Sequence, residues 1–384
     1  MTLGTVDILQ RLVAFPTVSR DPNLPLIDWA RNFLSDLNID SHLVRDASGL
    51  KSNLFATIGP PEEGGLVLSG HTDVVPVDGQ VWSSDPFTLT SRGSRLYGRG
   101  ACDMKGFIAA ALSRIAGWQR ASLRRPVHLM FSYDEEIGCL GAPSMIEAAQ
   151  RLLPTPAAVI VGEPTGMRLA TQHKGVCVLR TRVTGIEAHS SLTHHGVSAV
   201  MLAGEMISQL NEISLDLAAH ELSENRNFDP PHTTLSVNRI EGGTATNILA
   251  ALCEFDWDIR ALPGETPAAI LARLSLFADR RIADLSREGK RCSIETLVQA
   301  DVPSLKADGG IAEKLVRAVI AGNSEPLAVP FGTEGGQFAR AGWSTVVCGP
   351  GSIQQAHKPD EYLERSDLME CESFLERAVA RQCI

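Results

Sequence analysis

The feature that most constrains this chain is a short apolar run that ends abruptly on chemically active side chains. Leu66 to Leu68 is apolar enough to be a buried strand, and it breaks at Gly70 straight into His71, Thr72 and Asp73. The pattern recurs. Val127 to Tyr133 ends on Asp134, Glu135 and Glu136, Ala157 to Val161 ends on Gly162, Glu163 and Pro164, and Asp103 follows the break at Gly98, Arg99 and Gly100. A solvated loop charge explains any one of these placements, but chance explains four of them poorly. Burial of the apolar runs would carry the polar groups to strand ends.

Between the runs, Phe107–Arg120 and Gly141–Leu153 predict helices. Strand and helix therefore alternate, which predicts an α/β fold: a mixed sheet flanked by helices, with its site along one edge. Residues 1 to 45 predict helices over the core, Asp28–Leu37 among them. Asn53–Ile58 predicts a strand neighbouring Leu66–Leu68 across the turn at Gly59, Pro60 and Pro61.

After about residue 174 the rhythm changes. Strands are predicted over Val176–Val183, Thr234–Ile240, Cys253–Ile259 and Cys292–Val298, with helices over Val197–Leu217 and Pro267–Ser286. That order, βαββαβ, is the ferredoxin-like pattern. An inserted α+β domain over 176–298 and a discontinuous domain of 1–175 and 299–384 follow, and 384 residues exceed one ordinary core. The alternation resumes with Ile311–Ala321, Thr345–Cys348 and Ser366–Arg381, while Glu221–Pro231 predicts an exposed loop.

Composition narrows the partners. A net charge of −10 argues against nucleic acid, whose backbone needs a basic face. No apolar run approaches the roughly 18 residues of a membrane span, and the amphipathic start MTLGTVDILQRLVAF lacks the pattern of a secretory signal. The eight cysteines form no CxxC pair, which predicts free, buried thiols in a reducing cytoplasm.

His71, Asp73, Asp103, Glu135, Glu136, Glu163 and His357 collect at strand ends and loops. Imidazoles and carboxylates without cysteine suit zinc, with cobalt or manganese as substitutes. Two cations about 3.5 to 4 Å apart would need a bridging carboxylate, and neutralising them would account for the abundance of acid.

Ten segments carry a family resemblance: SGHTDVVPVDGQVWSSDPF (69–87), LYGRGACDMKG (96–106), DEEIGCLGA (134–142), GEPT (162–165), HKG (173–175), EAHSS (187–191), GGTATNI (242–248), DIRALPG (258–264), FGTEGGQF (331–338) and GPGSIQQAHKPDEY (349–362). The chain resembles the M20 metallopeptidase family of dinuclear zinc amidohydrolases, almost end to end. The resemblance implies a zinc aminopeptidase-like catalytic domain with an inserted lid and dimerisation domain. It implies that His71 and Glu163 bind one zinc, that Glu136 and His357 bind the other, and that Asp103 bridges them. Asp73 would hydrogen-bond His71 and fix its tautomer. Glu135, spared from coordination, would be the general base and then the general acid. His189 would support the oxyanion from the partner subunit of a homodimer joined through the insert. Arg260, aided by Asn247, would bind the substrate's α-carboxylate, and Glu334 is a candidate to meet a substrate ammonium.

The finer pattern implies hydrolysis of N-acetyl-L-ornithine to L-ornithine and acetate, a step of arginine biosynthesis, through a water activated by two zinc ions. Desuccinylation of succinyl-diaminopimelate, an aminoacylase or a dipeptidase activity are alternatives within the same chemistry. A non-catalytic metal- or ligand-binding homologue is the alternative of another class. Two departures bear on the substrate pocket: Leu249 and Ala250 follow the asparagine motif where a proline is usual, and Gly335 and Gly336 follow Glu334 where Ala-Gly is usual.

Overall fold

The computed structural model describes residues 3–219, 226–320, 322 and 324–384. The chain forms two compact units, Met1–Gln172 with Leu305–Ala328 and Thr333–Ile384, and His173–Ser304 with Val329–Gly332. In chain order the elements are α1 (Thr5–Val13), α2 (Leu24–Asp36), β1 (Ser41–Arg45), β2 (Ser52–Ile58), β3 (Leu66–His71), β4 (Thr90–Arg92), β5 (Arg95–Tyr97), α3 (Gly106–Arg120), β6 (Val127–Ser132), α4 (Ala142–Leu152), β7 (Ala158–Pro164) and β8 (Ala170–His173). Then come β9 (Gly175–Thr184), α5 (Ala199–Ala219), β10 (Thr234–Gly242), β11 (Leu252–Ala261), α6 (Pro267–Arg287) and β12 (Ser293–Val302). The last are α7 (Ile311–Val319), β13 (Leu327–Val329), α8 (Gly335–Arg340), β14 (Thr345–Gly349), β15 (Tyr362–Glu364) and α9 (Arg365–Cys383).

The large sheet runs β1-β2-β6-β3-β7-β14-β8-β13. Its centre, β6-β3-β7-β14, is parallel. Every residue of these four strands is buried, which is why they read as nearly continuous apolar runs, interrupted at Ser69 and His128, rather than alternating ones. Leu66, Leu68, Leu129 and Ile160 share one core with Ile8 and Leu12 of α1, Ile108 and Ile115 of α3, and Phe374 and Val379 of α9. Parallel strands end together at one edge, so His71, the turn after Ser132, Glu163 and the loop after Gly349 all emerge on the same side.

Two expectations are corrected here. β2 and β3 are not neighbours, because the β3-α3-β6 crossover lays β6 beside β3, and β2 pairs antiparallel with β6. Ser41–Arg45, expected among helices, is an edge strand paired with β2; it is half-exposed throughout and so shows no apolar run. The predicted loop at Glu221–Pro231 lies outside the described residues from 221 to 225, as does Ala321 at the end of the predicted helix.

In the second unit the sheet order is β10-β11-β9-β12, antiparallel throughout. Numbered within the unit this is 2-3-1-4, the ferredoxin-like order. Strand β11 alternates between buried and half-buried positions, as a sheet covered on one face must. Its inward Phe255, Trp257 and Ile259 join Leu202, Met206 and Leu210 of α5 and Ile270 and Leu274 of α6. Among the described residues, no helix is long and apolar enough to cross a membrane. The cysteines are free, and all but Cys292 are buried.

Candidate metal centre and active site

Register fixes the first two donors. Ser69 of β3 stands opposite Val161 of β7, so His71 and Glu163, each two residues farther on, leave the sheet at the same height. Nε2 of His71 lies 3.7 Å from Oε1 of Glu163. The strand lies this close to α3 because residue 162 has no side chain; a Cβ there would stand 2.0 Å from the Phe107 ring. Nδ1–H of His71 donates to the main-chain carbonyl of Asp73 at 2.9 Å, which turns the Nε2 lone pair toward the acids.

The ring is thus oriented by the backbone of Asp73 rather than by its carboxylate, which lies 3.6 Å from Nδ1. That carboxylate accepts the Ser19 hydroxyl at 2.7 Å and the main-chain N–H groups of Glu135 and Glu136 at 3.1 and 3.3 Å. One buried acid therefore ties the end of β3 to the turn after β6.

The other donors come from loops. Asp103, in the irregular turn leading into α3, puts Oδ1 3.0 Å from Nε2 of His71 and Oδ2 3.3 Å from Nε2 of His357. The His357 Nε2 also lies 3.0 Å from Oε2 of Glu136. Among the described residues, two trios have donor atoms close enough to share one cation: His71, Glu135 and Glu163, and His71, Asp103 and Glu136. The side chain of Glu135 is further held by the Cys139 thiol, which donates to Oε1 at 3.3 Å.

Electrostatics follow from crowding and burial. Burial, then the neighbouring acids, push Glu135 up to about 8 and Glu136 up to about 7, and burial pushes Glu163 well above the carboxylate range. Burial also opposes charge on Asp103, but the imidazoles of His357 and His71 outweigh it and hold that carboxyl well below its ordinary value. Hydrogen bonds to Asp103 and Glu136 push His357 up to about 10. Such a set carries more buried negative charge than its two imidazoles can balance, and cations neutralise it. Oε1 of Glu163 is buried without a hydrogen-bond partner, a cost that a cation removes. Nitrogen and oxygen donors without sulfur fit zinc, cobalt or manganese.

A sequence profile of peptidase family M20/M25/M40 matches residues 67–381. The chain belongs to this family. As an M20 protein it is a metal-dependent amidohydrolase. It is 36% identical to the acetylornithine deacetylase of Myxococcus xanthus over 98% of this chain and 96% of that protein. The acetylornithine deacetylase of Pasteurella multocida strain Pm70 is 33% identical, with 98% of each chain covered. Among solved structures, an M20 family metallo-carboxypeptidase from Sulfolobus solfataricus superposes with a TM-score of 0.77 at 20% identity, covering 98% of both chains. A tripeptidase from Staphylococcus aureus gives 0.75 at 18% identity, again over 98% of each. These two share the fold.

Not every residue read from the M20 pattern gathers at this centre. Glu334 is 0% exposed, and its two oxygens accept the hydroxyls of Ser69 and Ser132, each at 2.6 Å. It joins β3 to β6. His189, Asn247 and Arg260 belong to the second unit. There Ser190 N–H donates to the Asn247 carbonyl at 3.0 Å, which holds the His189 and Asn247 loops together. Arg260, on β11, pairs with Asp258 at 3.1 Å.

Sequence reasoning gave no role to Ser19, Arg99 or Glu361. Arg99 and Glu361 form a buried ion pair at 2.7 Å. The available signal was their place inside two of the motifs, Arg99 between two glycines and Glu361 shortly after His357.

Proposed function

We propose that this chain hydrolyses N-acetyl-L-ornithine to L-ornithine and acetate, a step of arginine biosynthesis, with a pair of zinc ions. The observation that carries the reading is Asp103, whose two carboxylate oxygens reach different imidazoles at 3.0 and 3.3 Å. The near full-length similarity to acetylornithine deacetylases supports the substrate. On this reading His71 and Glu163 would hold one ion, Glu136 and His357 would hold the other, and Asp103 would serve both. When bound, the ions lower the pKa of water and polarise the amide carbonyl.

The chain's own residues do the rest. Glu135 takes a proton from the attacking water, whose oxygen bonds to the acetyl carbon. As the carbon–nitrogen bond breaks, Glu135 returns the proton to the departing amine. Burial raises its proton affinity, which suits a group that must first accept and then donate. The Cys139 thiol and the Asp73-held turn keep its carboxylate aimed. On the same reading His189 supports the oxyanion in a cytoplasmic homodimer joined through the second unit, and Asn247 and Arg260 bind the α-carboxylate.

The burial of Glu334 favours a second reading, in which the substrate is an N-acyl amino acid without a second ammonium. A panel of acetylornithine, succinyl-diaminopimelate, acetylmethionine and dipeptides on zinc-reconstituted protein, read as released amine, separates the two. Acetylornithine is expected to give the highest kcat/KM. A neutral acylamino acid in first place replaces the substrate, and activity that survives complete chelation rejects the metal mechanism.

A further inference from the structure

His71 and Glu163 owe their spacing to strand register, but Asp103 and His357 sit on non-repetitive backbone from distant parts of the chain. His357 has a φ of +62° and a side chain half exposed to solvent, so nothing in its own loop fixes its ring against Asp103. The backbone around both residues converges instead on Glu361. Oε1 of Glu361 accepts the main-chain N–H groups of Cys102 and Asp103 at 2.9 and 3.1 Å. Oε2 accepts the N–H of Gly100 at 3.1 Å and the guanidinium of Arg99 at 2.7 Å. The β15–β5 ladder, continued by Gly98 N–H to the Glu361 carbonyl at 3.0 Å, sets where this carboxylate starts.

Arg99 completes the connection to the histidine. It donates to the Lys358 carbonyl at 3.3 Å and to Oε1 of Gln80 at 2.6 Å, with its guanidinium over the Trp82 ring at 5.0 Å. Gln80 in turn donates through Nε2 to the main-chain carbonyl of His357 at 3.0 Å. An unbroken chain of hydrogen bonds therefore runs from the Asp103 amide through Glu361, Arg99 and Gln80 to His357. Both charged members are 1% exposed, so water does not compete for the Arg99–Glu361 pair, whereas the Gln80–His357 link is exposed.

We propose that Glu361, acting with Arg99 and Gln80, is a positioning residue that sets the spacing of Asp103 and His357 and so controls the affinity for the ion at Glu136 and His357 more strongly than for the ion at His71 and Glu163. The proposal rests on the two-zinc reading above. The ion at His71 and Glu163 shares only Asp103 with this network, and its other two donors are spaced by main-chain pairing in the sheet.

The test is zinc titration of metal-stripped protein by calorimetry, with metal counted by atomic emission after gel filtration and Tm measured alongside. Wild type is expected to take up two ions. Glu361→Gln is expected to bind the ion at Glu136 and His357 about 10- to 100-fold more weakly, the range for groups that orient ligands, and the ion at His71 and Glu163 with a smaller loss. Gln80→Glu keeps an acceptor for Arg99 but loses the donor to His357, and is expected to weaken the ion at Glu136 and His357 by a smaller factor with Tm unchanged. Wild-type affinity for both ions in Glu361→Gln overturns the proposal. So does equal weakening of both ions with a lowered Tm, which marks a general structural role. Should Glu361→Gln fail to fold, Gln80→Glu with an unaltered affinity for the ion at Glu136 and His357 overturns it. A wild type that takes up fewer than two ions refutes the two-zinc reading instead.

Discussion

His71 and Glu163 ride on adjacent parallel strands, whereas Asp103 and His357 ride on loops from opposite parts of the chain. In the first region, main-chain ladders place both donors, and the side chains need only point outward. In the second, no ladder reaches the donors, and a buried carboxylate with its arginine does the placing. The contrast teaches that one centre can be built from two kinds of rigidity. One kind depends on burial of apolar strands, the other on a few charged hydrogen bonds whose loss leaves the sheet intact.

The largest expected effect separates holding from chemistry. Glu135→Gln is expected to keep both regions and the full metal content while kcat falls by roughly 10² to 10⁴, the usual worth of a general acid–base. Metal counting and steady-state kinetics check it, and loss of metal in this variant would make Glu135 part of the scaffold instead.

Acid should strike the sheet-built region. His128 lies within β6 between Thr57 and Val67, and burial pushes it down to about 4. A folded-state value below the unfolded one means that stability is complete above the unfolded pKa and is lost as pH falls from there through about 4. Between about pH 6.5 and 4 this one group is expected to remove roughly 3 kcal/mol. Urea unfolding of wild type and His128→Gln at several pH values tests it. The variant should show a shallower loss, and parallel curves would exonerate His128.

Asp73 touches both regions, since its carbonyl orients His71 and its carboxylate holds the amides of Glu135 and Glu136. Asp73→Asn keeps the carbonyl and disturbs the turn. Metal affinity is expected to drop about 10- to 100-fold, chiefly for the ion that Glu136 binds. Equal loss at both positions, read by calorimetry, would show that the two regions are not independent.

The smallest effect belongs to Glu334→Gln. It should cost about 1 kcal/mol of stability through one mismatched hydrogen bond to Ser69 or Ser132. Any change in kcat/KM should be the same for substrates with and without a distal ammonium. A loss confined to acetylornithine would make Glu334 a substrate contact.

The apolar runs ending on His71, Glu135 and Glu163 made the parallel core legible, because a strand buried on both faces is mostly apolar, with few exceptions such as His128 and Ser69, and carries most of its polar groups at its end. The βαββαβ order likewise revealed the ferredoxin-like unit. Strand β1 and the small β4-β5-β15 sheet were not legible, since strands three to five residues long carry no periodicity. The burial of Glu334 was not legible for a related reason: a polar residue in a glycine-rich motif looks exposed in sequence, and only packing against Ser69 and Ser132 reveals it as buried.

What the sequence determined by itself was therefore the donor chemistry and the strands that carry it, because residue type and hydrophobic period are local properties. The tertiary structure alone decided that β6 separates β2 from β3, that Asp73 works through its carbonyl on His71 and through its carboxylate on the Glu135–Glu136 turn, and that Glu361 joins the Asp103 and His357 loops. Those are pairings between segments far apart in the chain. Hydrogen bonds of that kind are chosen by which backbone groups folding strands without water, and no local pattern records the choice.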